Sequence, residues 1–569
     1  MTSNSLYNKV QLQWQVGDWH KLSQYTKEDL HQQTTKAEMA LMVAVAWLQK
    51  GDSKQAKKCI AWSQEWGANK SLLAKYLLSG LNNTLGLANL TLNPNSGKAT
   101  KYLQSSLELG CDDTDLDIAL PARLNQQRHF VELNAYPQRS KPIVKKVSQI
   151  DLGEAWAGNT VNTVIFRHHG LLTVNNSQVT AFYVDSKTLR IVQRNLADNS
   201  TQNYDLLGEY NLKDAHNSIS LAADREGHWH MSYDHHGTRL KYRRSLQAMD
   251  VTAWSDELSM TGKNEEKVTY PTFIMPINDN PLLILYRDGS WKQGTAYLKY
   301  YDEALQEWID YPQPILSGAE QKPWTSNAYW NHPVIDLNGN LHLSFCWRTD
   351  YFGEEKLISN INIDYAKSYD GGYHWYTSKN QPYQLPITQV NSETVWPISP
   401  GSNLINQTSM ALDSQGYPHI VFYANDEQSV PQYQHIWFNG IKWQQTYASN
   451  RKEAFTLSGG GTLQIPISRP DLVIDEQDNV YVIHSGLETQ QKMAATFLAA
   501  PHYVFDTDNI QILYDETIGY AEPIIDHLRW QQEKVLSLLV QHNDQPNGDI
   551  GHNTINSPIF IVDIKFANI

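Results

Sequence analysis

The sequence predicts a mainly β protein: a seven-bladed β-propeller preceded by a small all-α domain of TPR-like αα-hairpins. Three observations predict it. The texture changes once along the chain, from helix-forming residues with apolar spacing of three and four to short alternating strands separated by Asn, Asp, Gly and Pro turns. One phrase then recurs, a polar turn feeding an apolar strand: Asp224-Arg-Glu-Gly-His-Trp-His230, Asp336-Leu-Asn-Gly-Asn-Leu-His342, Asp413-Ser-Gln-Gly-Tyr-Pro-His419 and Asp475-Glu-Gln-Asp-Asn-Val-Tyr481. Finally, 569 residues exceed one ordinary domain.

Residues 1–135 carry the helices. Thr35 to Lys50 is rich in helix formers, Gly51-Asp52 stops it, and Ser53 to Trp66 restarts it. Gly17-Asp18 lies 34 positions before Gly51-Asp52, and a break is expected at Gly86, 35 positions after Gly51. A period near 34 is that of TPR helix pairs, so two to three αα-hairpins are expected, with packing or a protein partner as their role. Residues 136–150, basic and Pro-containing, read as a linker.

Residues 151–569 are the β domain. At about sixty residues per unit it holds roughly seven blades; a long β-helix would need shorter and more regular repeats. Ser368-Tyr-Asp370-Gly-Gly372-Tyr-His-Trp375 is S-x-D-x-G-x-x-W, the Asp-box turn of sialidase-like propellers. In it the Asp caps a tight hairpin, a Gly takes a conformation closed to other residues, and the Trp packs beneath. The motif marks a fold, not a reaction.

Composition narrows the function. A net charge of −14 argues against a nucleic-acid partner, so an anionic substrate must meet a local positive patch. The 18 Trp and 31 Tyr suit carbohydrate, whose C–H faces stack on flat rings. Cys59, Cys111 and Cys346 have neither disulfide nor zinc spacing and read as buried thiols. No apolar run reaches the length of a membrane span. The N-terminus lacks a secretory signature, so a cytoplasmic location is expected, or a secreted or periplasmic one if a signal was removed.

The chemistry concentrates between Asp214 and Ser245, with five histidines (His216, His228, His230, His235, His236) and four arginines. Ser218–Ala222 and Trp229–Tyr233 read as two strands of a hairpin, with Asp-Arg-Glu-Gly as the turn. His216 precedes the first strand and His236 follows the second, so both fall at one edge. Two imidazoles there can divide proton abstraction and donation. Downstream, Tyr270 opens one strand and Arg287 ends the next, which makes them neighbours across a hairpin. Asn327, Tyr329 and His332 precede the Asp336 turn, Arg348 follows the strand after it, and Asn406-Gln407 precede the Asp413 turn.

In order, DAHNSISLA, WHMSYDHHGTRLKYRRS, KVTYPTF, LYRDGS, NAYWN, FCWR, the Asp-box and NQTSMALDSQGYPHIVF resemble the BNR-repeat propellers of the ulvan lyases, polysaccharide lyase families 24 and 25. The resemblance covers most of residues 150–500 and not the helical N-terminus. It implies β-elimination on a uronic-acid-containing polysaccharide, an anionic substrate, giving an unsaturated uronate end. It assigns carboxylate neutralisation to Arg287 and proton transfer to His216, His236 and Tyr270, without dividing base from acid. It places Asn217, Arg239, Asn327, Tyr329 and Arg348 along the substrate. It implies no cofactor for catalysis and allows a structural metal; Cys346 with His332 or His342 is only a partial ligand set. Trp291 and Lys292, in Asp288-Gly-Ser-Trp-Lys-Gln-Gly294, depart from the family and point to an altered subsite. Ulvan and a uronate-bearing bacterial exopolysaccharide both stay open as substrate. A glycan-binding propeller without catalysis is a second reading. A sialidase-type hydrolase, which needs an arginine triad, is a third.

Overall fold

A computed structural model describes residues 3–92, 97–110, 115–135, 141–278, 280–318, 327–350, 352–406, 409–549 and 555–567. The chain separates into two compact units, Met1–Arg139 and Ser140–Ile569.

The described residues of the first unit form helices joined by short turns. Gly17 and Gly51, both at positive φ, end helices Ser3–Val16 and Lys36–Gln49. In each case the amide of the following Asp reaches back five residues, Asp18 to Gln13 O and Asp52 to Trp47 O, which closes a Schellman turn. The same aspartates then cap the next helix, Asp18 through Lys21 N and Asp52 through Lys54 N and Gln55 N. The Gly-Asp pair is thus a stop and a start in two residues. Gly86 does not follow this pattern: it lies inside a 23-residue helix, Lys70–Leu92. A Cβ there would lie 2.7 Å from Leu103 Cδ2 on helix Gly97–Gly110, so Gly86 permits close helix packing rather than a break. The unit is locked end to end by Arg123. Fully buried, it stacks between Trp14 and Trp19 at 5.0 and 4.9 Å and donates to Gln15 O and Asn83 Oδ1, each at 2.8 Å.

The second unit is a seven-bladed β-propeller. Its seven sheets are antiparallel, and each blade is built from consecutive strands except the last and the third, whose sheet also takes the short earlier strand His236–Thr238. Blade 1 runs Leu171–Val174, Ser177–Asp185, Thr188–Asn195 and Thr201–Leu207. Blade 2 has Ser220–Ala223, Trp229–Ser232 and Tyr242–Arg244, close to the hairpin the sequence predicts. Blade 3 has Val268–Ile274, Leu283–Ser290, Gln293–Asp302 and Glu307–Asp310. Blade 4 begins at Asn327–Trp330, blade 5 at Ser409–Leu412 and blade 6 at Asp471–Ile474. Blade 7 closes the ring, with Leu536–Gln541 and Asn556–Ala567 joined by the far earlier strand Ile143–Trp156. Residues 143–150, read above as linker, therefore belong to a blade: Ile150 pairs with Ile561 and Val144 with Phe566. Lysines and a proline masked an alternation that half-buries this outermost strand.

The recurring phrase has one physical role. In four blades the leading Asp accepts backbone N–H groups across the turn, for example His228 N to Asp224 at 2.7 Å and Tyr417 N to Asp413 at 2.8 Å. The ring six residues on returns to its other oxygen: His230 at 3.2 Å, His342 at 3.5 Å, His419 at 3.7 Å and the Tyr481 hydroxyl at 3.1 Å. The Asp-box is built as its sequence predicts: Ser368 Oγ accepts from Gly372 N, Asp370 from His374 N, and Trp375 is buried. Cys59 and Cys346 are buried thiols; Cys111 lies outside the described residues.

Candidate functional site

The stretch rich in histidine divides in two. His228, His230 and His235 are structural. His230 belongs to its turn, His228 Nδ1 meets Ser245 O at 3.0 Å, and His235 sits against Ser232 Oγ and Lys241 O. His216 and His236 instead share one carboxylate. Asp214 Oδ1 takes His216 Nδ1 at 2.5 Å and Asp214 Oδ2 takes His236 Nδ1. The rings stack 4.2 Å apart at 19°. With both Nδ1 atoms held by the carboxylate, each Nε2 is left as the reactive nitrogen. Asp214 is placed by an Asx turn, its Oδ1 accepting His216 N at 2.9 Å.

His236 reaches the next blade through the strand His236–Thr238, which pairs with Val268–Ile274. Thr269 is the register point, paired with His236 on one side and Arg287 on the other. Three neighbouring strands thus carry His236, Thr269 and Arg287 in one row, which puts two strand spacings, roughly 10 Å, between the outer backbones. Between Thr269 and Thr272 the pairing shifts, and Tyr270 takes φ +56° just before Pro271. This bulge re-aims the Tyr270 ring. Its centroid lies 5.1 Å from Phe166, 6.0 Å from His216 and 5.8 Å from Tyr329.

Arg287 is 2 % exposed and its guanidinium lies 5.1 Å from the Tyr270 ring and 5.9 Å from that of Tyr329. Its Nε and Nη1 are buried with no hydrogen-bond partner, and so is Asn327 Nδ2. Asn327 and Tyr329 are two apart on one strand and present the same side. Gly294 makes the approach possible: a Cβ there would lie 2.3 Å from Asn327 Oδ1 and 2.4 Å from Arg287 Cδ.

A small cleft opens beside this group, bordered by His216, Phe166, Arg348, Asn406, Thr462 and Arg469. Arg469 is paired with Glu522, Nε to Oε1 at 2.8 Å, and lies 5.4 Å from the Phe166 ring. Phe166 in turn stacks on His216 at 5.4 Å. Tyr270 and Arg287 do not border the cleft and are packed among the aromatic rings.

Electrostatics separate the groups. Burial lowers His216 below the ordinary histidine value, against the opposing bond to Asp214. Burial raises Tyr270, reinforced by Tyr329 and opposed by Arg287, Arg348 and Arg469. Burial resists ionisation of Asp214, yet its bonds to His216 and His236 hold it well below the usual carboxylate range. At neutral pH this leaves a neutral His216, a protonated Tyr270 and a carboxylate at Asp214.

Of the nine residues singled out by sequence, His216, His236, Tyr270, Arg287, Asn327 and Tyr329 come together here, and Arg348 borders the cleft. Asn217 is buried with its amide donating to Asn211 O at 2.7 Å, so it shapes the loop that holds Asp214. Arg239 is exposed just beyond strand His236–Thr238. Gln407 lies outside the described residues. Sequence reasoning gave no role to Asp214, Phe166, Arg469, Glu522 or Gly294. Only Asp214 had a local signal, the Asp two residues before a His; the others act across the fold. Cys346 accepts from Asn360 at 3.4 Å and His342 from Tyr365 at 2.6 Å, so they do not form the suggested ligand set. Among the described residues two other groups bring ligand atoms within 4.8 Å of one another, Asp214 with His216 and His236, and His332 with Asp471 and His527. No helix among the described residues is long and apolar enough to cross a membrane.

Residues 177–451 match the model of the BNR repeat-containing family. No curated protein matches the chain. Among solved structures, a PL25 ulvan lyase bound to -[GlcA(1-4)Rha3S]- is similar at 14 % identity and a TM-score of 0.54, over 72 % of this chain and 97 % of the other. The polysaccharide lyase Uly1 is similar at 15 % identity and the same TM-score, over 74 % of this chain and 99 % of the other. At these identities the likeness is one of fold. The chain thus has a helical N-terminal unit and a seven-bladed propeller that is similar over residues 177–451 to the BNR repeat-containing family and similar in fold to the ulvan lyases.

Proposed function

We propose that the protein is a polysaccharide lyase that cleaves a uronic-acid-containing polysaccharide by β-elimination. The observation that carries this reading is Arg287: a buried guanidinium with two unbonded nitrogen positions, in the row that also holds His236. Burying a cation with open donors is costly unless an anion completes it. We take a uronate carboxylate as that anion, and Asn327 Nδ2 offers a further donor beside it. Neutralising the carboxylate acidifies the C5 proton beside it. His216, neutral and oriented by Asp214, is the base that removes this proton. His236 and Tyr270 are the proton sources for the departing O4, and the elevated Tyr270 keeps its proton for that step. Atoms balance: the C5–H and C4–O bonds break and a C4–C5 double bond forms, the C5 proton passes to His216 while the acid's own proton caps the departing O4, and transfer of one proton from His216 to the acid through solvent restores both.

The test is a panel of uronate polysaccharides, ulvan and bacterial exopolysaccharides included, assayed by the ultraviolet absorbance of the unsaturated product. Arg287→Ala is expected to lower kcat/KM by roughly 10²–10³-fold. An unchanged rate in both Arg287→Ala and His236→Ala would sink the assignment. Retention on immobilised glycan with no unsaturated product from any substrate would favour a binding propeller instead.

A further inference from the structure

The helical unit carries an apolar surface that its own core does not use. Helix Lys70–Leu92 has two apolar sides. The inner side packs on its neighbours: Ser79 Oγ donates to Ser106 O at 2.7 Å, Gly80 O accepts from Gln49 Nε2 at 3.0 Å, and Gly86 lies against Leu103. Tyr76, Asn83 and Leu90 are buried on that side. The opposite side presents Ser71, Ala74, Leu78, Leu81, Leu85 and Ala88, all exposed. Leu78, Leu81 and Leu85 are 50, 53 and 38 % exposed. A helix that is apolar on both sides is normally buried on both.

The six exposed residues follow one another at steps of three and four in alternation, the a and d positions of a coiled-coil seam. From Tyr76 to Leu92 the helix holds no charged residue. The polar side chains beside the seam fold back onto their own helix. Asn82 Nδ2 donates to Leu78 O at 3.0 Å, Thr84 Oγ1 to Gly80 O at 3.1 Å, and Asn89 Nδ2 to Leu85 O at 2.8 Å. They therefore leave the leucines open instead of covering them.

We propose that this seam is a homodimer contact, in which helix Lys70–Leu92 pairs antiparallel with the same helix of a second copy of the chain. The contact stands on the helical unit alone and is independent of the lyase reading. The seam is complementary to itself about a two-fold axis between Ser79 and Gly80. Across that axis Leu78 meets Leu81, Ala74 meets Leu85, and Ser71 meets Ala88, so large faces small outside a central pair of leucines. Charge selects the direction. Antiparallel pairing sets Lys70 beside Asn89 and Lys75 beside Thr84 of the second copy. Parallel pairing would set Lys70 against Lys75, like charges with no acid in the helix to offset them. A lipid surface calls for basic residues along the seam, whereas both lysines stand at one end. The seam is about 26 Å long at 1.5 Å per residue, a small interface, so the dimer is reversible.

The test is sedimentation velocity of the full chain over about a hundredfold dilution series. A concentration-dependent dimer is expected. Leu78→Glu with Leu81→Glu should be monomeric at every concentration with the wild-type circular dichroism, because both side chains are half-exposed. If that variant folds poorly, Leu81→Gln alone should raise the dimer Kd by about tenfold or more. Direction is read by thiol cross-linking, with the parent chain as the control for its own cysteines. Ala74→Cys chains should link to Leu85→Cys chains when the two are mixed, and neither should link to itself. A wild type that is monomeric throughout, a dimer that survives Leu78→Glu with Leu81→Glu, or self-linking of Ala74→Cys chains would each overturn the proposal. A monomeric wild type that binds phosphatidylglycerol vesicles would assign the seam to a lipid surface instead. None of these readouts uses lyase activity, so they succeed or fail apart from that assignment.

Discussion

Asp214 sets the behaviour of both histidines from a single carboxylate. Replacing it with Asn removes one acceptor and the charge while keeping the turn, so kcat is expected to fall by about 10²–10⁴-fold with KM little changed; steady-state kinetics on the unsaturated product checks this. The depressed His216 has a second consequence. A base must be deprotonated to act, and a lowered pKa means protonation only at lower pH. The acid limb of kcat/KM should therefore fall below the ordinary histidine value of about 6.5, and a limb at or above it would contradict the burial described. Gly294→Ala is expected to shift Arg287 and lower kcat/KM by roughly 10²-fold while circular dichroism still reports a folded propeller, at a stability cost of about 1–3 kcal/mol. At this scale the sequence was informative where chemistry and strand position coincide: His216 and His236 at one hairpin edge, Tyr270 and Arg287 across another. It was silent on Phe166, Arg469 and Glu522, because residues hundreds of positions apart meet only through the ring.

Turns and helix ends were the most readable elements, since their residues act on their own neighbours. Gly17-Asp18 and Gly51-Asp52 each end one helix and cap the next, and the four Asp-led turns each cap their own hairpin. Gly86 shows the limit. A glycine required for a turn and one required for close packing look alike in a sequence, and only the neighbouring helix distinguishes them. Gly110 is of the second kind in a tighter place: a Cβ would fall 1.8 Å from Trp14 Cη2, in a ring already held by Arg123 and Tyr76. Gly110→Ala is expected to destabilise the helical unit by about 1–3 kcal/mol, measured as a shift of the denaturation midpoint of the full chain, while lyase kinetics at low temperature stay unchanged. The strand Ile143–Trp156 was misread because its exposed half carries Lys145 and Lys146, residues that read as solvent-bound linker but also protect an edge strand.

The blade count was legible from chain length and the recurring Asp turn; the closure was not, because pairing between Ile143–Trp156 and Asn556–Ala567 leaves no local signal. Across the molecule, buried neutral histidines give stability a direction with pH. Burial holds His235 near 3 and His484 near 4, the former opposed by bonds to Lys241 and Arg239. The unfolded chain takes up these protons below about 6.5 while the folded one does not, so stability is full above that value and is lost progressively towards pH 4. Urea midpoints measured from pH 7 to 4 should fall steadily, and a flat profile would contradict the burial. The closure itself governs how the chain can be made. About 400 residues separate the strand ending at Trp156 from its partner starting at Asn556, so at ordinary synthesis rates the early strand leaves the ribosome roughly 20–80 s before its mate. Throughout that interval an unmatched edge is open to other nascent chains, and a chaperone or the two lysines must guard it. A message truncated before Asn556 would release six blades and two strands left without the partner that joins them, Ile143–Trp156 and Leu536–Gln541, a product destined for aggregates rather than for a smaller propeller.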